Sequence, residues 1–284
     1  MNKFHSIILK IILLITSVTF IIYAVSKGYT SNSLDNIAYV VAIGFDSSDS
    51  DNLKLTIQIA KPNSFISSST GTTSNSEKTV LVSVDCSSFE SGINLLDSYI
   101  SRDINLSHCN AIIISEVLAS DDISKLIYDL SNNTEVSSHA NIIITKCDAK
   151  KYLEVTSPVI ESFPAKYYHI IPSSSKYTGY TSSVSLIDFF NFMEDDCKEP
   201  IATLGNINTK DTQISNSSIQ NFPNRDSSYI AGETPINSSN EVQAMGIAIF
   251  KDGRIVGEMN GLESICHKIV SGELDFCNIQ IPNT

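Results

Sequence analysis

The chain has 284 residues, 42% hydrophobic and 18% charged, with a net charge of −12. That apolar fraction supports one large or two ordinary cores. No Lys/Arg cluster follows the N-terminus, which argues against a nucleic-acid partner, and the acidity reads as a solvated surface that names no substrate.

Residues 11–25, IILLITSVTFIIYAV, carry no charge and follow Lys3 and Lys10. A positive start before an apolar run is an export signal. Two fates stay open. A removed signal peptide would use Ala24-Val25-Ser26 as its small-residue cleavage site. A spanning helix needs about 20 apolar residues, and residues 7–25 supply nineteen if Lys10 snorkels. The positive residues then lie inside and the bulk of the chain outside.

Residues 36–45, NIAYVVAIGF, predict a strand buried on both faces. Leu53, Leu55, Ile57 and Ile59 alternate with polar residues, which predicts a half-buried strand paired to the first through 46–52. The Ser/Thr-rich stretch 63–77 reads as a mobile loop, and 79–84 as a strand. Ser87 and Glu90 fit a capping box, ahead of a helical stripe at Phe89, Ile93, Leu96 and Ile100. Strand 110–115, a stripe at Ile123, Leu126, Ile127 and Leu130, and strand 141–145 predict a βαβ unit. A short helix is expected over 149–155, and another on the stripe Leu186, Phe189, Phe190 and Met193. The polar stretch 206–241 reads as a linker or excursion. Lys251-Asp252-Gly253 between two apolar runs predicts a hairpin. A last helix over 262–271 and a strand over 275–281 follow. The mixed order predicts an α+β fold, with mixed β-sheets and packed helices in two extracytoplasmic domains after the N-terminal helix. The boundaries are 1–26 for a signal-anchor helix, 35–205 for the first domain, 206–242 for the linker and 243–284 for a second, smaller domain.

No catalytic signature is visible: no G-x-S-x-G, S-x-x-K, Cys–His pattern or H-E-x-x-H. Among the five histidines, His108-Cys109 and Cys266-His267 are adjacent pairs, and strand neighbours point to opposite faces, so each is a poor chelate. All five read as surface or satisfied histidines. Asp121-Asp122 suits a helix N-terminus, and 194–196, EDD, a solvated helix end. Phe189, Phe190 and Phe192 could line a ligand pocket, but core packing is the favoured reading. The six cysteines show no CxxC or zinc spacing and read as buried free thiols, with Cys266 and Cys277 the pair to consider for a bridge. No cofactor, metal, catalytic or lipidation residue is assigned.

Several segments, in one order, resemble the Ger(x)C family, the C subunits of spore germinant receptors. These are IAYVVAIGFD (37–46) with LKLTIQIAKP (53–62), SFESGINLLDSYISRDINLSHCNAIIISEVLA (88–119), SLIDFFNFMEDDCKEPIA (185–202) and AMGIAIFKDGRIVGEMNGLES (244–264). Arg102, Ser107, His108 and Glu116 occupy positions that the family marks with a basic residue, a Ser-His pair and a Glu. Arg102, His108 and Glu116 are therefore carried forward as family-motif positions with a possible interaction role.

The resemblance implies a non-enzymatic subunit of a nutrient receptor in spore germination. It would act as a membrane-tethered scaffold or docking ectodomain on the outer face of the inner spore membrane. Its partners would be the polytopic A and transporter-like B membrane subunits. The chain departs from the family pattern in three ways. Residues 26–35, SKGYTSNSLD, lack the lipobox cysteine; 132–140, NNTEVSSHA, replaces an arginine-rich stretch; and the family's large C-terminal domain would begin about where the sequence stops. Without a lipobox thiol, the helix is the remaining route to the membrane, which favours an uncleaved anchor over roughly 7–25. The rival reading from another class is an exported solute-binding protein, motivated by the βαβ segment and the aromatic cluster.

Overall fold

The computed structural model describes residues 2–28, 36–49, 52–61, 79–156, 163–195, 197–208, 228–236 and 242–277. It forms two compact units, Met1–Ile37 and Ala38–Thr284. The first holds helix α1, Asn2–Gly28. Within it, His5–Tyr23 has a mean hydropathy of 2.3, and none of that segment is buried by protein. Its 19 residues span about 28 Å at 1.5 Å per residue, enough in length and composition to cross a bilayer. The Thr16 and Thr19 hydroxyls donate to the carbonyls of Leu13 and Ile15, at 2.9 and 3.0 Å. Their polarity is thus satisfied inside the helix, as an apolar solvent requires.

The second unit is built on one sheet. Its strands are β1 (Ile37–Ser47), β2 (Leu53–Ala60), β3 (Thr79–Cys86), β4 (Asp103–Asn105), β5 (Ala111–Ser115), β6 (Asn141–Thr145), β7 (Ile201–Ile207), β8 (Val242–Lys251) and β9 (Arg254–Met259). Among the described residues they form a nine-stranded sheet in the order β3-β2-β1-β5-β6-β7-β8-β9, with β4 paired to β1. The central strands β1, β5, β6 and β7 run parallel, and antiparallel hairpins flank them on both sides.

The centre is buried on both faces, and its strands are mostly apolar, most completely in the Ile-rich β5 and β6. In β5, Ile112 and Ile114 join one core cluster while Ala111 and Ile113 join another, the period of two expected of a strand. Helices α2 (Phe89–Tyr99), α4 (Ser124–Asn132) and α7 (Leu186–Glu194) cover the first cluster, with Phe89, Ile127, Leu130 and Phe189 inserted. Helices α5 (Ala149–Val155) and α6 (Pro164–Thr178) cover the second through Tyr152, Leu153 and Tyr168. Two short approaches let α5 sit close. A methyl on Gly44 would lie 2.9 Å from Leu153 Cδ1, and one on Gly205 would lie 2.9 Å from the Tyr152 ring.

The α+β class, the mixed sheet and the N-terminal apolar helix are as the sequence predicts, and so are the β1–β2 pairing, the β5–α4–β6 unit and the hairpin. Several expectations are corrected. Strand β2 is not half-buried: Thr56 and Gln58 are only 0% and 1% exposed, because α5 covers their face and the Gln58 amide donates to the Leu153 carbonyl at 3.3 Å. The capping box of α2 is one residue later, with Ser88 as cap and Ser91 as its partner. β4, α6 and β7 were not expected. The boundary drawn at 243 does not appear, since β8 pairs with β7 from Ile201–Ile249 to Ile207–Val242. Residues 228–236 pack on the same core, with Ala231 buried and bonded to the Met245 carbonyl at 2.9 Å. Residues 209–227 and 237–241, like the loop at 63–77, lie outside the described residues. Of the strand expected over 275–281, residues 275–277 are not extended into a sheet and the rest lie outside.

The β8–β9 turn docks the hairpin on the start of α4. Asp252 and Gly253 have φ of 50° and 73°, and the Ile123 N–H donates to the Gly253 carbonyl at 3.0 Å. A methyl at Gly253 would overlap Ser124 Oγ and Asp122 Oδ1. Gly253→Ala should therefore cost about 1–3 kcal/mol from backbone strain and crowding together, read by chemical denaturation of the full chain. An unchanged midpoint would show that the turn does not carry this contact.

Candidate functional site

The three family-motif positions do not form one site. Arg102 is exposed just before β4. His108 sits in the turn ahead of β5, where its ring meets Tyr39 of β1 edge-on, with centroids 5.4 Å apart. The turn is held by Asn105, whose Oδ1 accepts from Ser107 N–H at 3.2 Å and from its hydroxyl at 2.6 Å. Glu116 is at the opposite end of β5, in the first turn of the short helix α3 (Glu116–Ala119). Eight residues, roughly 26 Å if extended throughout, separate His108 from Glu116.

At the carboxyl ends of the parallel strands, the Asp46 carboxylate is buried where β1 finishes. Its two oxygens accept the N–H groups of Ala149 at 2.6 Å and Lys150 at 3.0 Å, in the first turn of α5. Burial pushes its carboxyl above the ordinary value of 3.8, and the two backbone donors pull it partly back. Nearby, the Lys146 ammonium pairs with Glu258 of β9 at 2.6 Å, and both side chains are partly exposed. These contacts join strand ends to their neighbours.

At the amino ends of β5 and β6 there is an open cleft of about 500 Å³. Asn110, Asn141, His139, His169, Lys176 and Ser183 line it. Cys109 borders it, but burial pushes that thiol up to about 12, which keeps it protonated at neutral pH. A second groove of about 550 Å³ runs between α2 and α4 and carries Glu90, Asp97, Asp129 and Glu135. Among the described residues there is no group of three or more His, Cys, Asp or Glu placed to hold a metal. All six cysteines are free: Cys86 and Cys109 are buried, whereas Cys197 and Cys266 are exposed, contrary to the expectation of buried thiols. The core reading of the aromatic cluster holds for Phe189, which is buried against Phe250 at 5.0 Å.

From the sequence alone, His139 and His169 read as surface or satisfied histidines, with nothing to bring them together. Both line the cleft because α6 packs beside β5 and β6, and α6 itself was not predicted. Its Pro172 and Ser-rich stretch hide a helical pattern.

The family described as the spore germination protein N-terminal domain matches residues 30–207. This chain belongs to that family. Comparison with curated proteins and with solved structures finds no match. A spore germination protein is therefore what the sequence encodes, and the matched region runs from ahead of β1 to the end of β7. In this germination protein β8, β9 and α8 (Gly261–Ser271) lie beyond the match, yet β8 and β9 extend the same sheet.

Because Asp46 has a folded-state pKa above its unfolded value, the folded chain holds that proton more tightly. Its contribution to stability is then greatest below about 3.8 and falls as pH rises through the folded value. Asp46→Ala should remove that fall. It should also lower stability near neutrality by about 2 kcal/mol, since the buried Ala149 N–H and the part-buried Lys150 N–H lose their acceptor. Denaturation midpoints from acid to neutral pH test both, and a variant that keeps the wild-type pH profile would contradict this reading.

Proposed function

We propose that this chain is a membrane-tethered subunit of a nutrient-sensing germinant receptor, serving as a docking ectodomain rather than as an enzyme. One conjunction carries the reading: a spore germination domain follows directly on the apolar helix His5–Tyr23. The helix supplies a tether in the inner spore membrane, with the sheet unit on its outer face. Partners of the A and B type, polytopic and transporter-like, are those that the resemblance to Ger(x)C proteins implies.

The chemistry is in keeping with a non-catalytic role. Burial raises the pKa of Cys86, Cys109 and Cys147, which lowers their thiolate character. Tyr152 and Tyr168 are likewise pushed up by burial. Family-motif residues Arg102, just before β4, and His108, in the turn ahead of β5, are exposed, where a partner can reach them. The polar cleft at the same end of the sheet favours the second reading, an exported solute-binding protein, which needs no membrane partners.

Affinity purification of the tagged full chain from detergent-solubilised spore membranes separates the two. The receptor reading predicts co-purification of A- and B-type subunits. Recovery as a free soluble protein from vegetative cells would contradict it.

A further inference from the structure

We infer that the cleft at the amino ends of β5 and β6 binds a small oxyanion, a solute bearing a carboxylate or phosphate group. The chain as a whole is acidic, with 31 Asp and Glu against 19 Lys and Arg. The cleft inverts that balance. His139 and His169 bring two of the five histidines to it, Lys176 adds an ammonium, and among the described lining residues there is no carboxylate. Its volume of about 500 Å³ lies within the range of small-molecule sites, roughly 300–1,000 Å³.

The donors converge from separate elements. His169 and Lys176 lie on α6, His139 on the segment leading into β6, and Asn110 and Asn141 at the starts of two parallel strands. Ammonium, imidazole and carboxamide N–H groups are the donor set that oxyanions select, with the charged donor contributing most.

The floor is preformed. Asn141 N–H donates to the Asn110 carbonyl at 2.9 Å, and its side-chain amide reaches the same oxygen at 3.4 Å. The Asn110 side-chain amide donates to the His108 carbonyl at 3.1 Å. The segment that presents His139 is pinned on both sides, by Ala140 N–H to the Ser137 carbonyl at 3.1 Å and by Leu186 N–H to the Ala140 carbonyl at 2.8 Å. A site fixed in advance spends less binding free energy on ordering itself. His139, His169 and Lys176 are exposed, so a solute reaches them without a conformational change.

The inference stands apart from the receptor reading, because binding by the purified chain and co-purification with partners are separate measurements. Titration calorimetry of the full chain in detergent, with inorganic phosphate and succinate as probes and chloride at matched ionic strength as reference, tests it. At least one probe should bind at one site per chain. A doubly substituted His169→Gln, Lys176→Gln chain should bind it at least about tenfold more weakly, the loss expected for a charge-assisted hydrogen bond. His139→Asn should weaken it as well, while Lys125→Gln, on α4 away from the cleft, should leave it unchanged. All these positions are exposed, so circular dichroism should show the fold retained. Phosphate binding alone would assign the phosphate class, and succinate binding alone the carboxylate class. No heat with either probe at millimolar concentration would overturn the inference, as would equal binding by wild type and cleft variants.

Discussion

The central constraint is that the parallel strands are apolar on both faces. Ile112 and Ile114 point one way and Ala111 and Ile113 the other, and all four are buried. Such a strand is stable only between two covering layers. That requirement places α2, α4 and α7 on one side and α5 and α6 on the other. Asp46 is where one of those layers is fastened to the end of β1, through the two backbone N–H groups at the start of α5. Gly44, two residues earlier, leaves the room that lets α5 come close enough for that contact.

With both faces covered, what remains for recognition is the strand ends and the helix surfaces. The carboxyl end is occupied by Asp46 and the Lys146–Glu258 pair. The amino end is open, and it holds His108 together with the polar cleft. The polar cleft and His108 thus share one end of the sheet, while the acidic groove lies on the helical face between α2 and α4. Lys268 shows the opposite use of a charge: it is buried and donates to the Ser175 carbonyl at 3.2 Å, near the C-terminus of α6, where a cation opposes the helix dipole.

Much of this was legible in the sequence wherever a single element carries its own pattern. The apolar run at 36–45, the stripes of α2, α4 and α7, and the Asp252-Gly253 turn each announce themselves locally. The misses have physical reasons. Gln58 reads as solvent-facing in an alternating strand, and only the packing of α5 reveals that its amide is buried and bonded. IATLGNI is too mixed to mark β7 as a central strand, although it pairs with β6 and β8. The domain boundary at 243 failed because a polar stretch in sequence does not interrupt a sheet in space. The cleft was illegible for the same reason, since His139 and His169 are thirty residues apart and converge only in the tertiary fold.

The family match establishes a spore germination protein, and the proposed tether makes it a membrane one. Intact mass analysis of the chain recovered from alkali-washed spore membranes tests that claim most directly. The account predicts that the protein stays with the membrane after the wash and retains the whole of α1. A chain that washes free and begins at Lys27 would contradict it.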